Sequence, residues 1–196
     1  MILGVTGLIG AGKSEVGKCF EKSFGVRVID CDDIVHHLYD TNLDVVNRIE
    51  DVVGGCRKED NTFDYRRLGS LLYKTPKLVD KVNQIVHPEV KKILIRNSIE
   101  FKKLNKHLVV LVPLLFETGL QYLFDSTLYV YTDYEIRKER LLDKSKRGMP
   151  LVIMHFYDSF QIPVDEKVLL CDHVIFNNGD GSDLYDSVER LFLKVF

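Results

Sequence analysis

Tryptophan is absent from this 196-residue chain, and proline and cysteine are scarce, at five and four residues. Cys19, Cys31, Cys56 and Cys171 lie far apart, form no C-x-x-C pair and have no histidine beside them at metal-ligand spacing. That excludes a disulfide scaffold or a thiolate metal site and points to reduced, mostly buried thiols. A surplus of charge is missing too. The 27 Lys and Arg against 29 Asp and Glu leave a formal net charge of -2, which argues against a broad nucleic-acid surface but allows a local basic pocket for a small anion. Long apolar runs are lacking: the most apolar stretch, LVVLVPLLF from Leu108 to Phe116, is too short to span a bilayer and contains a proline. The apolar start, Met1 to Val5, has no charged region ahead of it of the kind that marks a secretory leader. A cytoplasmic protein without membrane or nucleic-acid partners is therefore expected.

What is present is an alternation of textures. Ile2 to Val5, Val26 to Ile29, Leu108 to Val112, Ser126 to Tyr131 and His173 to Phe176 read as short buried strands. Ser14 to Phe24, Tyr134 to Asp143, Met149 to Phe160 and Leu184 to Phe196 carry helical spacing. Between the second and third strands, about Ile34 to Lys103 is helical in texture, with breaks expected at Gly54-Gly55, Asn61, Pro76 and Pro88. Strands separated by helices predict an α/β fold: a parallel five-stranded sheet with helices on both faces. The length suits one domain, residues 1–196, with an inserted helical subdomain over 40–105 and a lid region over 140–162. Ligands of such sheets bind beyond the carboxyl ends of the strands, where Gly7 to Ser14 and the DCDD run at Asp30 to Asp33 both fall. Both are expected to face one cleft.

Gly7, Gly12, Lys13 and Ser14 fit the phosphate-loop pattern G-x-x-x-x-G-K-[ST], with a strand before it and a helix after it. Gly7, Gly10, Ala11 and Gly12 let consecutive N–H groups turn inward around an anion, and the helix start adds free donors and a positive dipole end. Lys13 is then expected on the β- and γ-phosphates, and Ser14 on Mg²⁺. A signalling GTPase would need D-x-x-G after a strand and N-K-x-D. Asp51 to Gly54 matches the first only within an amphipathic helical pattern, and NKHL at Asn105 lacks the aspartate. A motor-type ATPase would place an acid directly after its third strand, where this chain has Pro113. A small-molecule kinase remains, with its carboxylate supplied after the second strand. Asp32 can accept a proton from an acceptor hydroxyl or hold metal-bound water. Capping of the following helix by Asp32 or Asp33 is the structural alternative.

Read in order, GVTGLIGAGKS, VIDCDDIVHHL, NQIVHPEV, VVLVPLLFETGL, FDSTLYVYT, IRKERLLDK and CDHVIFNNG resemble the dephospho-coenzyme A kinase family over nearly the whole chain. The resemblance implies transfer of the γ-phosphate of ATP to the ribose 3′-hydroxyl of dephospho-coenzyme A, with Mg²⁺ as cofactor. By it, Asp32 is the catalytic aspartate and shares the metal with Ser14, and His87, Pro88, Pro113, Leu114 and Glu117 line the acceptor site. Arg140 is implied as a lid arginine and Asn177 as a neighbour of the adenine. Three positions depart from the family pattern. Glu15 stands where a hydroxyl normally meets the α-phosphate, and must point away. Tyr65 follows Asp64 where the family has arginine, so Arg66 is the substitute. Lys144 replaces the second lid arginine and, with Arg147, completes the basic lid stretch. The alternatives are a kinase of the same fold acting on a nucleotide, nucleoside or sugar acid, and a nucleotide-binding protein with weakened turnover.

Overall fold

The computed structural model describes residues 1–143, 148–179 and 181–196. Five strands, β1 (Ile2–Thr6), β2 (Arg27–Asp30), β3 (Leu108–Leu111), β4 (Ser126–Tyr131) and β5 (His173–Phe176), form one sheet in the order β2-β3-β1-β4-β5. Every pairing is parallel, with Leu3 opposite both Val109 and Ser126. β1 and β3 are buried at every residue, which is why they read as continuous apolar runs and not as alternating ones. One face packs on α1 (Lys13–Phe24) and α9 (Gly181–Val195). Leu3, Val5, Val109, Leu128 and Val130 of the sheet meet Val16 and Phe20 of α1 and Val188 of α9 in one core. Phe24 and Phe192 stack at 4.2 Å across the two helices.

Two compact units make up the chain: Met1–Asp30 with Arg96–Phe196, and Cys31–Ile95. The first carries the whole sheet and also α6 (Tyr134–Leu142), α7 (Leu151–Asp158) and α8 (Val164–Leu170). The second holds α2 (Cys31–Thr41), α3 (Leu43–Val53), α4 (Tyr65–Lys74) and the start of α5 (Val79–Lys103). Two of its helices, α3 and α4, start on side-chain caps. Asn42 accepts from Val45 N at 3.2 Å and Asp64 from Arg67 N at 3.0 Å. Glu50 folds back on the main-chain N–H groups of Gly55 and Cys56, at 2.6 and 2.9 Å, and closes the turn after α3. Asp51 therefore sits within a helix, as its amphipathic spacing predicts.

Two expectations need correction. Pro88 does not break a helix: α5 runs through it for 25 residues. A proline there removes one i→i−4 bond, and the apolar face of Val82, Ile85, Val86, Val90 and Leu94, all buried, holds the helix together regardless. The second is α8, which has no counterpart among the expected elements. Its seven residues follow Pro163 and are too few to show a period. Among the described residues no helix is long and apolar enough to cross a membrane.

Candidate phosphate-binding site

Between β1 and α1 the chain turns through Gly7 to Gly12 with positive φ at three glycines, including +151° at Gly7 and +95° at Gly12. Both of these positions also lack room. A Cβ at Gly7 would lie 2.6 Å from the Val130 carbonyl oxygen, and one at Gly12 would collide with Asn177 Nδ2. The glycines thus serve conformation and close approach together. Lys13, the first residue of α1, folds back so that Nζ donates to the carbonyls of Gly7 at 2.8 Å and Leu8 at 3.1 Å. The loop carries its own turn, Ala11 N to Leu8 O at 3.2 Å, and enters α1 through Val16 N to Gly12 O at 3.0 Å. Ser14 and Glu15 are exposed in the first helical turn. Glu15 pairs with Lys18 one turn on, at 2.7 Å, so its carboxylate has a partner along the helix surface.

The loop's carbonyls are held from outside. Ala11 O accepts from Asn177 Nδ2 and from the Thr132 hydroxyl, each at 2.9 Å. Ile9 O accepts from Arg137 Nη1 at 3.0 Å. In a trans peptide the N–H points opposite to the C=O, so pinning these two oxygens directs the N–H groups of Gly10 and Gly12 away from the pinning side chains. Arg140 arrives from α6, with Nη2 donating to Asn177 O at 2.9 Å and Nη1 3.5 Å from the Thr132 hydroxyl. Asn177 is buried and its amide nitrogen donates to Ala11 O, so its side chain helps to hold the loop. The structure brings Lys13, Arg140 and Asn177 together with the glycines. Lys144 and Arg147 lie outside the described residues.

Pro113, Leu114 and Glu117 form the turn after β3. Pro113 O accepts from Thr6 Oγ1 at 3.1 Å and from Lys167 Nζ at 2.8 Å. Lys167 is completely buried and also donates to Glu117 Oε1 and Gln161 Oε1, each at 2.8 Å. Glu117 Oε1 takes a further bond from Ile162 N at 2.9 Å, while Oε2 is buried with no partner among the described residues. Burial pushes the Lys167 ammonium below its ordinary pKa, and the Glu117 carboxylate opposes that shift. Glu117, expected to face a substrate, is one half of a buried clamp.

The remaining expected residues belong to the second unit. Asp32 is exposed in the first turn of α2, two residues beyond the end of β2. Arg66 is exposed in the first turn of α4, next to Tyr65, whose ring lies 4.6 Å from His36. His87 is half-buried on α5, and burial lowers its pKa, while Pro88 beside it is exposed.

Arg137 and Lys167 were not anticipated from the sequence. Arg137 stands one turn before Arg140 on α6, and that i, i+3 spacing of arginines was the available signal. Lys167 sits in a charged run that reads as surface, and nothing local marks it as buried.

This chain resembles known proteins along nearly its whole length. A family model described as dephospho-CoA kinase matches residues 1–183. A dephospho-CoA kinase from Bacillus licheniformis is 31% identical over 193 residues, covering 97% of this chain and 94% of the relative. Among solved structures, a protein from Thermus thermophilus superposes with a TM-score of 0.76 at 30% identity, over 100% of this chain and 98% of that one. A dephospho-CoA kinase from Campylobacter jejuni superposes with a TM-score of 0.72 at 22% identity, over 99% of this chain and 96% of that one, a likeness of fold.

Proposed function

We propose that this chain, which belongs to the dephospho-CoA kinase family, transfers the γ-phosphoryl group of ATP to the ribose 3′-hydroxyl of dephospho-CoA, yielding CoA and ADP. The observation that carries the reading is the glycine turn after β1, its carbonyls at Ile9 and Ala11 drawn outward and Lys13 Nζ folded over Gly7 and Leu8. Such a turn offers main-chain donors, a helix start and an ammonium to a polyphosphate. Glu15, held by Lys18, does not obstruct it.

In the reaction the acceptor oxygen attacks the γ-phosphorus while the bond to the β–γ bridging oxygen breaks, and ADP departs with that electron pair. The transition state is loose, so positioning and charge neutralisation supply most of the acceleration. Lys13 and the loop amides neutralise charge on the phosphates. Arg140, anchored on Asn177 O, adds a cation from α6. Asp32 accepts the proton of the 3′-hydroxyl, a role suited to an exposed carboxylate just past a strand's carboxyl end. His87, Pro88 and Arg66 belong to the acceptor side.

The residues present suit a magnesium ion. No group of three or more His, Cys, Asp or Glu among the described residues could cage a cation by itself, and Ser14 offers an exposed hydroxyl oxygen in the first turn of α1. Mg²⁺ is ordinarily held by one or two protein oxygens together with substrate phosphates and water. Ser14 and Asp32 would hold it, and it would supply neutralisation of phosphate charge. A cytoplasmic setting, where ATP is abundant, goes with this reading.

A coupled ADP-release assay with ATP, Mg²⁺ and dephospho-CoA tests it. Turnover with dephospho-CoA, and much slower release with shikimate, gluconate or nucleosides, is expected. Preference for one of those acceptors would replace the assignment by another kinase of the fold. ATP binding with no release would leave only a nucleotide-binding protein.

A further inference from the structure

Arg137 is the only described side chain that donates to Ile9 O. It is 4% exposed, unusual for an arginine, and its two terminal nitrogens make three bonds. Nη1 donates to Ile9 O at 3.0 Å and to Asp158 Oδ1 at 3.2 Å, and Nη2 donates to Asp158 Oδ2 at 2.8 Å. Asp158 is the last residue of α7, whose start at Leu151 follows the segment between α6 and α7. One planar fork thus ties the phosphate loop to the last residue of α7, a helix within the expected lid region.

Beside the loop lies a half-open pocket of about 170 Å³, lined by Leu8, Ala11, Tyr129, Thr132 and Arg137 among others. Gly10 packs against Leu141, so closely that a Cβ there would lie 2.9 Å from Leu141 Cγ. That apolar contact places the loop without selecting which way the Ile9–Gly10 peptide faces; the guanidinium is the polar group that holds its carbonyl. With its carbonyl held, the Ile9–Gly10 peptide has one orientation, and the Gly10 N–H is directed away from Arg137. Without that bond the peptide can rotate, because Gly10 tolerates either sign of φ. The loop would then have to be ordered by the incoming nucleotide, at a cost in affinity.

We infer that Arg137, oriented by Asp158, is a positioning residue for nucleotide binding: it sets the Ile9–Gly10 peptide of the phosphate loop before ATP arrives. The claim rests on the kinase reading of that loop. It acts on a contact made by substrate, transition state and product alike, so its loss raises KM for ATP and the Kd of ADP together and leaves kcat and the acceptor KM nearly unchanged.

The test is the double variant Arg137→Met with Asp158→Asn, which removes the brace without leaving a lone buried charge. Isothermal titration with ADP, and steady-state kinetics with each substrate varied, should show the ADP Kd and the ATP KM both rising about tenfold, the consequence of losing a charge-assisted hydrogen bond. Arg137→Lys, which keeps a charge but only a point donor, should fall between wild type and the double variant. Unchanged ADP affinity in a folded double variant overturns the inference. So does an equal loss in the KM of both substrates and in kcat alongside a fall in melting temperature, the pattern of general damage. Should the double variant fail to fold, Asp158→Asn alone must shift ADP affinity in the same direction by a smaller factor, and no shift there overturns it equally. Wild-type enzyme that binds ADP but does not turn over dephospho-CoA would sink the kinase reading, while the ADP titration would still judge Arg137.

Discussion

The turn after β1 and the turn after β3 are built alike and do different things. Each is organised by a lysine ammonium that collects main-chain carbonyls: Lys13 takes Gly7 and Leu8, and Lys167 takes Pro113. Lys13 keeps part of its surface open, whereas Lys167 keeps none and shares its charge with the half-buried Glu117. The donor in both is a lysine Nζ. Access decides which lysine meets a ligand and which one only holds the fold, so substitutions should separate into effects on rate and effects on stability.

The sharpest separation is expected from Lys13→Ala. Phosphoryl transfer should drop by at least about 10³-fold, because the ammonium's charge is used most at the transition state, while far-UV circular dichroism and the denaturant midpoint stay near wild type. A variant that keeps turnover would erase the functional half of the contrast. Asp32→Asn should behave in the same manner at smaller scale, losing roughly 10²–10⁴ in kcat with ATP affinity retained in titration. A loss of ATP binding instead would make Asp32 chiefly a metal or structural residue.

Lys167→Met should do the reverse. Removing the cation strands Glu117 in a site where Oε2 already lacks a partner, a loss of about 3–5 kcal/mol. For a chain of this size that is roughly a 10 °C fall in melting temperature by calorimetry. Adding Glu117→Leu to it should recover most of the stability, since a pair of apolar side chains leaves no orphaned charge. If the single variant melts like wild type, the clamp is not what holds the turn after β3.

The smallest effect concerns a weaker base in a comparable setting. Burial pushes the His87 imidazole below the ordinary histidine value of 6.5, so the folded chain resists a proton that the unfolded chain accepts. Its contribution is therefore fully present above pH 6.5 and is lost as pH falls through the lower folded value. Chemical denaturation at pH 7.5 and pH 5.5 should show a smaller loss on acidification in His87→Gln than in wild type. Equal losses would mean that His87 charges freely in the folded state.

Much of this could be read directly along the chain. All five strands were legible because each is a short apolar run bounded by turn residues, and Gly7 to Ser14 was legible because phosphate loops need those residue types at fixed spacing. Pro88 misled, since a proline signals a break only where tertiary packing does not outweigh one missing hydrogen bond. α8 was invisible at seven residues. The burial of Lys167 and Arg137 could not be read at all: Asp158 and Ile9 lie 21 and 128 residues from Arg137, Glu117 and Pro113 lie 50 and 54 from Lys167, and only the fold brings them within reach. The hold of Asn177 on the loop was illegible for a similar reason, as its partner Ala11 lies 166 residues off.

That last bond has a consequence for the sheet. β5 is the outermost strand and pairs on one side only, with β4. Yet the residue that follows it grips the carbonyl of Ala11 and offers its own carbonyl to Arg140. The rim of the sheet, usually the part most tolerant of fraying, is here a hinge pin for the anion cradle, and loosening it would slacken the grip on nucleotide from the far end of the sequence.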